Sequence, residues 1–177
     1  RTDMDMIADF VRSSAEWYRP ILDEKDMAEH EVDQAWAEKN FRRRDFYLGF
    51  AAGEPVGTIS LQYFGQYAYL GYIYLDVSQV GKGYGQKLMK FAEKTAKEQG
   101  MKGMTLIAHP QATWARKAYL KYGFEIIASN KSDVLSWNDG ILKEYYEEGF
   151  ELYAYDFGKN QQRTSPSKPR SVERLDA

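Results

Sequence analysis

Pro55 to Leu75 is a run of 21 consecutive residues without a formal charge, PVGTISLQYFGQYAYLGYIYL. About 20 apolar residues suffice to cross a bilayer as a helix, so this run limits the fold more than any other stretch. It contains Gly57, Gly65 and Gly71 with Gln62 and Gln66, and its commonest side chain is tyrosine: Tyr63, Tyr67, Tyr69, Tyr72 and Tyr74. Membrane helices are built mainly from Leu, Ile, Val and Phe, with Tyr kept to their ends. Tyr, Ile, Val and Thr in quantity favour strands instead, and Phe64-Gly65-Gln66 supplies a turn. The run therefore predicts a hairpin, Pro55–Tyr63 and Tyr67–Asp76. A strand at Phe46–Ala51 precedes it through the turn Ala52-Gly53-Glu54-Pro55. The first ten residues carry Arg1, Asp3, Asp5 and Asp9, which is no signal pattern. No membrane partner is expected. The chain opens on Arg, which implies that residues upstream were removed.

Twenty-four Lys plus Arg stand against 26 Asp plus Glu, for a formal charge of −2 and a sequence pI near 5.8. Proteins that live on phosphate backbones usually carry a basic surplus, so nucleic acid is not expected as a partner either. Zero cysteines exclude a disulfide framework, cysteine zinc sites and thiol nucleophiles, and they suit a reducing, cytoplasmic location.

Apolar residues at helical spacing predict a first helix over Met4–Trp17, closed by Pro20. A second is expected from a cap at Asp26 through Val32, Ala35, Trp36 and Phe41 to Arg42-Arg43-Arg44. That triplet reads as a basic helix end before it reads as a phosphate site. After the three strands comes the turn Gly81-Lys82-Gly83-Tyr84-Gly85, then a helix with the stripe Tyr84, Leu88, Phe91, Ala92 and Ala96, stopped at Gly100. A strand at Gly103–Ala108, a helix carrying Ala115, Ala118, Tyr119 and Tyr122, and strands at Phe124–Ser129 and Phe150–Phe157 complete the pattern. Residues 130–149 form an insert between the last two strands, with a short helix expected at Ile141–Glu148. The composition turns polar from Lys159, so 158–177 is expected to be a disordered tail. Meander and crossover connections together imply an α+β sheet with helices on its faces, in one domain over 1–157.

Alternating glycines between a strand and a helix let backbone approach a ligand closely and aim N–H groups at an anion. The dinucleotide pattern G-x-G-x-x-G fails here at Gln86, and no Gly-Lys-Ser/Thr of a P-loop occurs. What remains is G-x-G-x-G, which alone could also be a tight turn that holds nothing. Leu75-Asp76-Val77-Ser78-Gln79-Val80-Gly81-Lys82-Gly83-Tyr84-Gly85-Gln86-Lys87-Leu88-Met89 resembles the pyrophosphate-binding motif of the GNAT superfamily of acetyl-CoA-dependent N-acetyltransferases. Some 35 residues on, Ala115 and then Tyr119-Leu120-Lys121-Tyr122-Gly123-Phe124 resembles that family's second signature. The element order also matches from Arg1 to Phe157, save for the family's first strand.

The resemblance implies a mixed, mostly antiparallel twisted sheet flanked by helices, acetyl-CoA as co-substrate with no metal, and an amine acceptor. Backbone groups of Leu75, Asp76 and Val77 would hold the pantetheine arm. The N–H groups of Gly81, Lys82, Gly83, Tyr84 and Gly85 would hold the pyrophosphate. Tyr119 corresponds to the family's general acid, against a bland reading as a core tyrosine. Three positions depart from the family pattern. Val80 stands where Gln or Arg is usual, Ala112 where an Asn often meets the pantetheine, and Tyr67–Leu75 holds no carboxylate to serve as general base. Asp76 and His109 are the base candidates; each also reads as a turn residue.

Trp17, Tyr18, Trp36, Trp137, Tyr145 and Tyr146 are expected near the acceptor. Asp23, Glu24, Asp26, Glu29 and Glu31 accompany them, with Asp139, Glu144, Glu147 and Glu148 of the insert as a candidate lid. Such a wall suits a cationic amine, although exposed carboxylates on helices are ordinarily just solvated. An acyl-CoA-binding sensor without transferase activity is the alternative, and a homodimer is left open.

Overall fold

In the computed structural model, which describes residues 2–164, six strands form one sheet in the order β1-β2-β3-β4-β6-β5. They are β1 (Asp45–Ala51), β2 (Glu54–Phe64), β3 (Tyr67–Leu75), β4 (Gly103–Ala108), β5 (Glu125–Ala128) and β6 (Glu151–Asp156). All neighbours are antiparallel except β3 and β4, which run parallel. That parallel pairing is short. Tyr67, Ala68 and Tyr69 face Gly103, Met104 and Thr105, and no further pairs follow.

The uncharged run is the β2–β3 hairpin, turning at Gly65 with φ 59°. Its lack of charge follows from cover on both faces, since neither face has a solvent side to carry one. Ile59, Leu61, Ala68, Leu70, Met104 and Leu106 lie in one core with the helices α4 (Tyr84–Glu98) and α5 (Thr113–Tyr122). Tyr69 and Leu152 lie in a second cluster with Val134 and Leu142 of the insert. No helix among the described residues is long and apolar enough to cross a membrane.

One irregularity shapes β3. Thr58 faces Tyr74 and Ser60 faces Gly71, so Ile59 alone stands against Tyr72 and Ile73. This is a bulge, and Tyr72 sits in it with φ 47°. A non-glycine residue there costs on the order of 1–2 kcal/mol. The Tyr72 hydroxyl offsets that cost by accepting from Trp36 Nε1 and donating to Glu29 Oε2, both at 3.2 Å.

The first helix, α1 (Asp3–Tyr18), forms as its spacing predicts, with a Thr2–Asp5 capping box. The second does not. Its residues divide into α2 (Glu24–Met27), a 3₁₀ turn at Ala28–His30, and α3 (Gln34–Arg43). Asp23 caps α2 by accepting from Asp26 N at 2.9 Å, and Asp33 caps α3 by accepting from Trp36 N at 2.7 Å. Two caps start two helices where the apolar spacing suggested one. Asp26, expected as the cap, is buried instead.

The insert also differs from expectation. Its helix is α6 (Lys131–Ser136), capped by the Asn130 side chain, while 3₁₀ turns cover Trp137–Glu144. Asn138, Asp139 and Gly140 all have positive φ, which breaks any regular helix there. The C-terminal boundary moves as well, because α7 (Phe157–Thr164) continues from β6 across the start of the expected tail. Phe157 is buried under the Lys97 ammonium at 5.0 Å, and Asp156 caps α7 by accepting from Lys159 N at 3.0 Å. The rest of that tail lies outside the described residues.

Candidate active site

Where β4 leaves β3, two cavities of about 470 Å³ and about 360 Å³ share four lining residues, Tyr18, Ile73, Tyr74 and Tyr119. The larger lies among α1, the end of β3, the glycine turn and α5. The smaller is bounded by α2, α3, β3, the end of β4 and the insert.

The larger cavity gathers Leu75, Val77, Val80, Gly81, Gly83 and Gly85. Gly81 and Gly83 both have φ +83°, and a Cβ at either would meet nothing within 4 Å. Glycine is thus required by conformation, and the space beside the turn stays open. Gly83 is also the N-cap of the 15-residue α4. First-turn N–H groups have no intrahelical partner and carry the positive end of the dipole, so this corner suits a pyrophosphate. The Lys82 ammonium bonds Gln79 Oε1 at 3.3 Å, and the Tyr84 ring lies 5.4 Å from the Lys87 ammonium. The Lys82 N–H donates to Gln79 O at 3.4 Å, so it is engaged within the turn.

Lys82 and Tyr84 line neither cavity, and neither do two further expected contacts. Ala112, the N-cap of α5, is fully buried and lines neither cavity. Asp76 also lines neither cavity. It caps the turn after β3, accepting from the Ser78 hydroxyl and from Ser78 N at 2.9 Å. Those bonds hold its carboxyl below the usual range.

Aromatic rings wall the junction. Tyr18 stacks on His30 at 5.3 Å and meets Trp114 edge-on at 5.5 Å, while His30 Nε2 and the Tyr74 hydroxyl pair at 3.1 Å. Tyr119 is buried beside Tyr153, with ring centroids 5.7 Å apart, and lines both cavities. Burial, then the neighbouring Tyr18, pushes its phenol well above the ordinary value, so it stays protonated at any working pH.

His109 lines the smaller cavity just past β4. Its Nδ1 accepts from Gln111 N at 3.2 Å, and its ring meets Phe150 edge-on at 5.5 Å. Burial lowers its pKa, although Asp26 and Glu151 pull the other way. A neutral ring whose Nδ1 already accepts a bond carries its proton on Nε2, which leaves no free lone pair.

Glu147 lines the same cavity and was legible in the sequence only as one of four acids in the insert. Burial, reinforced by Asp26 and Glu29 and opposed by Arg44, raises its carboxyl to about 8. Asp26 is raised by burial too, while its bond from the Glu148 N–H partly offsets this. Sequence periodicity missed this pairing because it joins residues 122 positions apart.

Tyr18, Tyr145 and Tyr146 line this cavity, whereas Trp17 lines the other one. Trp36 is packed under Tyr72 and Trp137 against Tyr67, both at 5.3 Å. The wall is also not purely acidic. Asp26, Glu29, Glu144 and Glu147 face Lys25, Lys39, Arg43, Arg44 and Lys143. A simple attraction for cations does not describe it.

The acetyltransferase (GNAT) family matches residues 8–124. A search of curated proteins found no match. Among solved structures, the PaiA N-acetyltransferase of Thermoplasma acidophilum, in complex with coenzyme A, superposes with a TM-score of 0.66 at 19% identity, covering 88% of this chain and 93% of that one. A GNAT-family acetyltransferase of Staphylococcus aureus Mu50 gives 0.65 at 19% identity, covering 88% and 94%. A Bacillus subtilis acetyltransferase in complex with CoA gives 0.56 at 20% identity, covering 70% and 84%.

Proposed function

This chain belongs to the GNAT family of acetyltransferases, and on that premise we propose that it moves the acetyl group of acetyl-CoA to a primary amine by direct attack on the thioester. The observation that carries the reading is the junction of the two cavities at Tyr74 and Tyr119, with the glycine turn lining one and Glu147 the other. The turn's open backbone and the α4 N-terminus fit the pyrophosphate, held by the N–H groups of Gly81, Gly83, Tyr84 and Gly85, while that of Lys82 bonds Gln79 O. Backbone groups of Leu75 and Val77 pair with the pantetheine arm along the edge of β3 that β4 has left. Bound there, acetyl-CoA supplies an electrophilic carbonyl.

Glu147 accepts the first proton from the incoming ammonium. A carboxyl near 8 suits that task, since a base works best when its pKa lies near the working pH. Asp76, held acidic and outside both cavities, and His109, with its lone pair engaged, are weaker candidates. As the C–N bond forms and the C–S bond breaks, Tyr119 donates its phenolic proton toward the sulfur and regains one from the attacking nitrogen. The ammonium thus gives up two protons, one held by Glu147 and one delivered to sulfur.

The test is acetyl-CoA-dependent thiol release against polyamines, amino acids, aminoglycosides and N-terminal peptides, with CoA binding followed by calorimetry. Release with at least one class is expected. Binding without release across all of them would point to the acyl-CoA sensor instead.

A further inference from the structure

Arg44 is the one cation of the acceptor cavity held in a built aromatic setting. Its guanidinium carbon lies 4.9 Å from the Tyr72 ring centroid, 5.4 Å from Tyr145 and 5.8 Å from Tyr69. Nε donates to Asn40 Oδ1 at 3.3 Å, and Asn40 is itself fixed by donating to Trp36 O at 3.0 Å. Gly71 makes the room. A Cβ there would come within 2.6 Å of Arg44 Nη1, closer than real contacts allow.

Among the described residues, the charge in this setting has no carboxylate within salt-bridge distance. Lys39 and Arg43, at the same cavity, are in salt bridges with Glu29 at 3.2 Å and Glu144 at 3.4 Å. Arg44 forms none among the described residues, and its buried Nη1 has no hydrogen-bond partner among them. The side chain is half-buried, and a planar guanidinium on rigid aromatic faces is pre-organised for a planar anion. The four carboxylates of the same wall are offset by Lys25, Lys39, Arg43 and Lys143, so the flat shape of a carboxylate between aromatic faces, rather than net charge, favours it over a tetrahedral phosphate.

Resting on the acetyltransferase reading above, we infer that the acceptor is an amine bearing a carboxylate, and that Arg44 anchors the carboxylate while the amine meets Glu147. The span follows from β3. Arg44 sits against Gly71, and the cavities join at Ile73 and Tyr74, two to three residues further on. The bulge at Tyr72 shortens this segment relative to regular strand rise, so the amine lies within roughly 10 Å of the carboxylate. Dipeptides and ω-amino acids have that reach.

The probes are 3-aminopropanoate, 4-aminobutanoate and 6-aminohexanoate, each beside its primary carboxamide, together with O-phosphoethanolamine. Thiol release gives kcat/KM, and calorimetry of the N-acetylated forms with the CoA-loaded full chain gives a readout free of turnover. The best carboxylate is expected to exceed its amide at least tenfold in both. Arg44→Met should erase that preference to within twofold while CoA affinity holds, and Arg44→Lys should restore part of it. Equal use of amides, a preference that survives in Arg44→Met, or better use of the phosphorylated amine overturns the assignment. If no amine is acetylated but N-acetylated carboxylates bind through Arg44, the transferase reading falls and the anion site stands. If Arg44→Met does not fold, the wild-type preference and Arg44→Lys decide the question.

Discussion

The carboxylate of Asp26 accepts a hydrogen bond from the backbone N–H of Glu148 at 3.2 Å, tying the N-terminal helices to the insert. Glu147, one residue earlier, is held against the same carboxylate charge. Asp26→Asn keeps an oxygen for the bond and removes the charge. The pKa of Glu147 should then fall below about 8, and the rising limb of the pH–rate profile should move to lower pH with it. Asp26→Ala loses the bond as well and is expected to cost about 1–3 kcal/mol in thermal unfolding. An unmoved limb in both variants would separate Asp26 from Glu147.

Glu147→Gln removes the proposed base without changing its size. Turnover should fall roughly 10²–10⁴-fold, and the limb near 8 should disappear. His109→Gln is the companion variant, and it should keep that limb. A pH profile that loses its limb only in His109→Gln would reassign the base.

Tyr119→Phe keeps the ring that packs on Tyr153 and Phe124, with centroids at 5.7 and 6.1 Å, and removes only the hydroxyl. Its kcat should drop about 10²-fold if the phenol serves as acid, while calorimetry should find CoA affinity nearly unchanged. An unaltered kcat would leave Tyr119 as a core tyrosine.

Gly83 and Gly53 form a matched pair, since each has φ +83° and each would place a Cβ in open space. Alanine at either position should therefore destabilise by a similar amount, on the order of 1–2 kcal/mol. Only Gly83 lines the cofactor cavity. Gly83→Ala should weaken CoA binding about tenfold or more, whereas Gly53→Ala should not. Equal CoA affinity in both variants would show that the turn does not hold the pyrophosphate.

The parts of this molecule that were readable in the sequence are those whose physics is local. Strand-favouring Tyr, Ile, Val and Thr and the glycines at 53, 65, 81 and 83 marked the hairpin and the turn that lines the cavity beside α4. The helix split at Asp33 was missed because a single cap outweighed a continuous apolar spacing. Glu147, Asp26 and Arg44 were unreadable as a site for another reason. Their roles come from burial and from partners across the fold, and a charged residue in sequence looks the same whether it is solvated or enclosed. Even the bulge at Tyr72 was silent, since its left-handed backbone is held by Trp36 and Glu29 on distant elements.

The raised pKa of Glu147 has a thermodynamic consequence that needs no substrate. The folded protein binds this proton more tightly than the unfolded chain, with about 8 against the ordinary 4.5. Between those values the native state holds more protons, so stability falls as pH rises from about 4.5 to about 8 and levels off above. A depressed carboxyl such as Asp76 acts in the opposite sense, gaining stability as pH rises through its own lower range. Glu147→Gln deletes only the first contribution. Its Tm relative to the wild type should therefore increase from pH 5 to about pH 8 and level off by pH 9 in parallel melts, with other titrating groups cancelling between the two proteins. A constant difference across that range would mean that Glu147 titrates as an ordinary exposed carboxylate, and the assignment of the general base would lose its physical ground.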